Sequence, residues 1–185
     1  MTGFLLKIIF VLAVLMLACG ETTVFADEQK PGEYQVKALF LYNFINFVEW
    51  PAGSSFFSSS SMNICIVGDD PFDDALNNIR NETVKGKKLI IRTRHPFDEP
   101  GVCQILFIPA SERSHMESIL RSVKGENVLT IADFVEGARQ GAIIGFYIEQ
   151  QKVRFAVNLD AARRSGLKIS AKLLRLSKII KGTGN

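Results

Sequence analysis

The chain has 185 residues, 47% of them hydrophobic and 22% charged, with a formal net charge of +3. That length allows one domain with a real core, and the balance is that of an ordinary globular protein rather than a disordered one. So small a positive excess gives no footing for nucleic acid as a partner.

Lys7 precedes IIFVLAVLMLA, an unbroken apolar run over residues 8–18. The run is too short to cross a bilayer comfortably and suits the hydrophobic part of a secretory signal. VFA at 24–26 ends in a small residue before Asp27, as signal peptidase prefers. Residues 1–26 are therefore expected to be removed after Ala26, leaving 27–185 as a single exported domain. Cys19, in the weak lipobox MLAC, offers a lipoprotein as the alternative, and an uncleaved anchor is the third reading. All three export the domain. Beyond the signal only Cys65 and Cys103 remain. An even count in an oxidising compartment implies a disulfide, against the alternative of two separate buried thiols.

DEQKPGE at 27–33 reads as a polar lead-in. Residues 34–49 read as a helix that is apolar nearly all round, with a narrow polar stripe of Lys37, Asn43, Asn46 and Glu49, stopped by Pro51. AGSSFFSSSS at 52–61 is a loop. MNICIVG at 62–68 is a buried strand. Asp69, Asp70 and Pro71 then open a helix running to about residue 81. KLIIRTR at 88–94 and CQILFI at 103–108 are strands, separated by the loop 95–101. Residues 111–123 form a helix and 127–131 a strand. ADFVEGARQG carries a short helix. AIIGFYIE at 142–149 and KVRFAVN at 152–158 are strands with only Gln150 and Gln151 between them, which requires an antiparallel hairpin. LDAARRSGL is a turn or short helix, and Ser170 caps a last helix, AKLLRLSKIIK. Alternation of this kind implies a three-layer α/β sandwich. Its sheet is mostly parallel but mixed, of about six strands, and ends in the antiparallel hairpin.

The chemistry-bearing patterns are thin. No G-x-S-x-G elbow occurs, and the glycines at 137, 141 and 145 do not open a helix after a strand, so turn and strand-bend roles suit them better. His95 and His115 have no metal-ligand neighbours at useful spacing. Asp69 and Asp70 resemble the acidic pocket of a receiver domain, but the helix-cap role fits them better. Arg163 and Arg164 read as a solvated basic face. No catalytic residue, metal or cofactor is expected, and the chain reads as something other than an enzyme.

Several segments together resemble the YfiR family of periplasmic proteins. They are VKALFLYNFINFVEWP at 36–51, ICIVGDDPF at 64–72, CQILFIPASE at 103–112, NVLTIADF at 127–134 and VRFAVNLDAARRSGLKISAKLLRLSKII at 153–180. The resemblance implies a regulator that holds an inner-membrane diguanylate cyclase, or a similar sensor protein, inactive by binding its periplasmic region, so lowering cyclic di-GMP. It maps the family's regulatory disulfide onto Cys65 and Cys103. A second cysteine pair of some members has no counterpart, because residues 135–160 contain no Cys. For the aromatic stretch, core packing competes with contact to a homodimer mate or partner through Phe40, Phe44, Phe47 and Trp50. Two other readings stand beside the regulator: a periplasmic sensor or carrier of a small molecule, and an exported hydrolase.

Overall fold

The computed structural model describes residues 32–95 and 103–181, all within one compact unit, Pro31–Asn185. The expected signal sequence and its expected cleavage after Ala26, Cys19, and nearly all of the loop at 95–101 lie outside the described residues.

Helix α1 (Glu33–Phe47) contains no glycine or proline. Its buried residues Lys37, Ala38, Leu41, Phe44 and Ile45 recur at helical spacing and form one stripe. Glu33 places a carboxylate at the positive end of the helix. The outward face is Gln35, Leu39, Asn43 and Asn46. Asn43 and Asn46 of the expected polar stripe lie on that face, while Lys37 leaves the stripe for the interior. The helix also stops earlier than expected. Val48 turns extended, and β1 (Val48–Glu49) pairs antiparallel with β9 (Lys168–Ile169). Within the expected loop, α2 (Ser55–Ser58) is a single turn whose Phe56 is buried.

The main sheet has eight strands in the order β10-β8-β7-β6-β5-β2-β4-β3. The six expected strands all form, as β2 (Ser61–Val67), β4 (Lys87–Arg94), β5 (Ile105–Ile108), β6 (Leu129–Ala132), β7 (Ile144–Glu149) and β8 (Lys152–Asn158). Neighbours from β4 through β7 pair in parallel, and β7–β8 is the expected antiparallel hairpin. Gln150 and Gln151 both take positive φ, 49° and 58°. That conformation lets a two-residue turn follow the strand twist.

The two additional strands lie at the edges. β3 (Thr83–Val84) pairs antiparallel with β4. β10 (Lys178–Ile180) lies parallel to β8, in the stretch expected to complete the last helix. Only α6 (Ala171–Arg175) is helical there; Ser170 caps it as expected, its hydroxyl accepting from the Leu173 N–H at 3.2 Å. The β-branched pair Ile179–Ile180 gains a backbone ladder on the open edge of β8, which a helix could not supply. The helix expected over 69–81 shrinks to a 3-10 turn, Asp73–Leu76. Asp70 accepts from the Phe72 N–H at 2.9 Å, and Asp73 and Asn81 adopt positive φ. Short polar side chains here compete for the backbone and favour turns. A 3-10 turn (Ala110–His115) likewise precedes α3 (Met116–Ser122). The remaining helices are α4 (Val135–Arg139) and α5 (Leu159–Arg164).

Period-two alternation sends side chains to two faces. On one, Ile64, Ile66, Ile105 and Phe107 meet α1. On the other, Cys65, Val67, Leu106 and Ile108 meet α3 and Phe134. This is the three-layer arrangement. Cys65 and Cys103 are bonded across the second face, with Cα atoms 5.8 Å apart. Gly137 and Gly145 are not bends. A Cβ on Gly145 would stand 2.9 Å from the Phe134 carbonyl, and one on Gly137 would strike the Ala132 methyl. Both let α4 settle directly on the sheet.

Candidate functional site

At the carboxyl end of β6, Asp133 lies buried beneath α1, its side chain 3% exposed. Its Oδ1 is 2.5 Å from the Lys37 ammonium, whose side chain is 4% exposed. Its Oδ2 accepts from the Tyr34 hydroxyl at 2.8 Å. Glu33 also reaches Lys37 from the preceding turn. The ammonium stands over the Tyr34 ring, 4.6 Å from its centroid. Burial, and then the hydrogen bond to Asp133, push the Tyr34 phenol well above its ordinary value of 10.0. Charge is thus compensated inside the protein, and α1 is locked to the sheet at its first turn.

Aromatic packing continues the lock. Tyr34 meets Phe72 edge-on at 5.3 Å, and Phe72 meets Phe107 at 4.7 Å. Phe40 and Phe44 both pack on Phe146 and Phe155, with centroids 5.1–5.9 Å apart. Such rings add to the area they bury when offset or edge-on.

The four aromatic residues proposed for partner contact separate in space. Phe44 is wholly buried, and Trp50 is 6% exposed. Trp50 stacks on Phe56 at 5.0 Å, and its indole N–H donates to the Asn127 carbonyl at 3.0 Å. Phe47 is half-buried at the far end of α1, under the Lys172 ammonium. Of the four, Phe40 borders an open groove. That groove, of about 530 Å³, runs between the first turns of α1 and the tip of the β7–β8 hairpin. Val36, Phe40, Ile148 and Val153 give it an apolar floor; Glu33, Lys152 and Arg154 give it a charged rim. Ile148 is 51% exposed. Its size falls in the range of ordinary ligand sites.

Lys37 and Asp133 went unrecognised in the sequence. The sequence pattern puts Lys37 on the polar stripe, yet it shares a helical face with Leu41, Phe44 and Ile45. Asp133 directly follows a buried strand at its carboxyl end. Those two positions were the available signal. A smaller hollow of about 180 Å³ lies by Gly68, Asp69 and Thr93, at the ends of β2 and β4. Among the described residues no group of three or more His, Cys, Asp or Glu could hold a metal ion, and no helix is long and apolar enough to cross a membrane.

The model of the YfiR/HmsC-like family matches residues 34–178, and the chain belongs to that family. Among solved structures, a conserved domain protein from Vibrio cholerae superimposes with a TM-score of 0.56 at 11% identity, over 80% of this chain and 60% of that one. At that identity the likeness is one of fold. A domain from Streptococcus pneumoniae in complex with L-Trp gives 0.47 at 9% identity, covering 69% of this chain and 59% of that one. The open, ligand-free form of a substrate-binding protein with adhesive properties from Clostridium difficile gives 0.49 at 13%, covering 69% and 57%. Those two similarities are too low to carry an argument. The chain spans 57–60% of the length of these structures.

Proposed function

We propose that the protein is a periplasmic regulatory binding protein that restrains a membrane diguanylate cyclase through the cyclase's periplasmic region. The observation that carries this is the family match over residues 34–178. The groove between α1 and the β7–β8 hairpin supports it, since an apolar floor with charged edges suits an inserted apolar side chain oriented by its polar surroundings. In this reading the chain has no catalytic role, and residues 1–26 serve export and are removed near Ala26.

Deleting the gene should raise cellular cyclic di-GMP, and restoring the full chain should lower it again. A chain lacking residues 1–26 should fail to restore it. Ile148→Glu places a charge on the groove floor at an exposed position and should weaken restraint without unfolding the protein. Unchanged cyclic di-GMP in the deletion strain, under conditions where the protein is made, would overturn the proposal.

The groove volume favours one second reading: a sensor or carrier of a small molecule, in which the ligand sets the grip on the partner. A thermal-shift screen separates the two.

Self-association belongs to the same proposal. Leu39 stands 52% exposed on the outer face of α1, between Gln35 and Asn43. A closed two-fold contact through that face would cover it. Light scattering should give the mass of a dimer, and Leu39→Lys should return a monomer. A monomer at high concentration for the unaltered chain would contradict this.

A further inference from the structure

The charges are far less evenly spread than a net +3 suggests. Residues 161–185 contain seven Lys or Arg and no Asp or Glu, so residues 1–160 carry an acidic excess. All seven cations, Arg163, Arg164, Lys168, Lys172, Arg175, Lys178 and Lys181, are exposed. Two have acidic neighbours from outside the segment. Arg163 is ion-paired with Asp160, and Glu49 stands opposite Lys168 across the β1–β9 ladder. The last four follow one another through α6 and β10. On α6, Leu173 points inward and is 2% exposed. Lys172, Arg175 and Leu176 are spaced three and four residues apart and share the other side. Lys172 lies over the Phe47 ring, which leaves its charge outward. Leu176 is 64% exposed and Ile179 is 54% exposed, although each is an aliphatic group in water. They are three positions apart, so their Cα atoms lie within about 10 Å of each other.

We infer that this C-terminal surface, α6 with the edge strand β10, docks on an anionic lipid bilayer. Clustered cations are drawn to the negative potential of such a surface, and the two aliphatic side chains enter the boundary between headgroups and acyl chains. Protruding aliphatics flanked by cations need no preformed pocket in what they meet. A second copy of the chain is the poorer occupant, because a two-fold contact would bring fourteen like charges together, about twice the local set on each copy. The inference does not depend on any cyclase. It would hold the protein at a membrane whichever membrane protein it meets.

The test compares three forms of the full chain, so that residues 1–31 contribute equally to each. They are the unaltered protein, a variant with Arg175→Gln, Lys178→Gln and Lys181→Gln, and a control with Lys88→Gln, Arg121→Gln and Lys124→Gln, which are exposed cations elsewhere. Each is sedimented with vesicles of phosphatidylglycerol and phosphatidylcholine, and with vesicles of phosphatidylcholine alone. The unaltered chain should partition more strongly onto the anionic vesicles, and added salt should reverse this. At about fivefold per cation, the first variant should lose roughly a hundredfold in partitioning and the control far less. Leu176→Ser with Ile179→Ser should weaken the remaining, salt-resistant part.

Equal partitioning onto the two kinds of vesicle would overturn the inference. So would an equal loss in the control, which would make the attraction a property of the whole surface. Binding to polyglutamate that needs Arg175, Lys178 and Lys181, with no preference for anionic vesicles, would assign the surface to an acidic protein instead. None of these outcomes bears on the effect of gene deletion on cyclic di-GMP.

Discussion

Asp133→Ala should cost about 3–5 kcal/mol of stability, because it leaves the Lys37 ammonium buried without its main counter-charge. For a domain of this size that lowers the melting temperature by roughly 10 °C. Glu33 remains beside Lys37 but is half exposed, so it offsets only part of the loss. Lys37→Met alone should be costly in the same way, leaving a buried carboxylate. Lys37→Met combined with Asp133→Ala should cost less than the sum of the two single changes, since neither charge is then stranded. In Asp133→Ala, Tyr34 should also titrate closer to its ordinary value, because the hydrogen bond and the charge of Asp133 that raise it are gone while burial remains. Denaturant unfolding of the four proteins measures the cycle. Additive losses would show that Lys37 and Asp133 do not act as a pair.

Reducing the Cys65–Cys103 bond should destabilise the protein by about 3–4 kcal/mol, from the loop entropy returned to the unfolded chain over a separation of 38 residues. Both sulfurs lie in the apolar face shared by α3 and Phe134, at 2% and 6% exposure. Neither cysteine should label in the native, unreduced protein. Cys65→Ala with Cys103→Ala should reproduce the effect of reduction. Cys65→Ser should do worse, since it places a hydroxyl among apolar neighbours. Equal midpoints in urea with and without reductant would refute the expectation.

The layer order and the six inner strands could be read from the sequence because each is a compact β-branched run between turn residues. The β7–β8 hairpin was legible because two residues permit no other connection. The edges were not. β3 and β10 are two and three residues long, and what makes Lys178–Ile180 a strand is the open side of β8, which lies outside its local sequence. The turn at Asp73–Leu76 failed as a helix because the Asp70 carboxylate takes the Phe72 N–H and because Asp73 and Asn81 adopt positive φ. The aromatic stretch is plain in the sequence, but its pattern does not divide core from surface. Phe44 and Phe40 are four residues apart on one helix, and only the position of the β7–β8 hairpin leaves the second beside a groove. Lys37 was hidden for a related reason. A lysine in an apolar run looks like the edge of a stripe until its carboxylate, ninety-six positions away in the chain, is found beneath it.

The contacts of α1 also determine when the chain can fold. Its first turn waits for Asp133, its middle for Phe146 and Phe155, and the strand that follows it for Lys168 and Ile169. Among the described residues the first element is therefore covered by segments synthesised much later, at sequence separations of roughly a hundred residues. Closing such distances is slow, because the entropy of the intervening loop must be overcome before any contact repays it. Until then Leu41, Phe44 and Ile45 remain in water on a nascent helix, open to association with other incomplete chains. The central strands β2, β4 and β5 can assemble earlier, and the helix that begins the domain completes it.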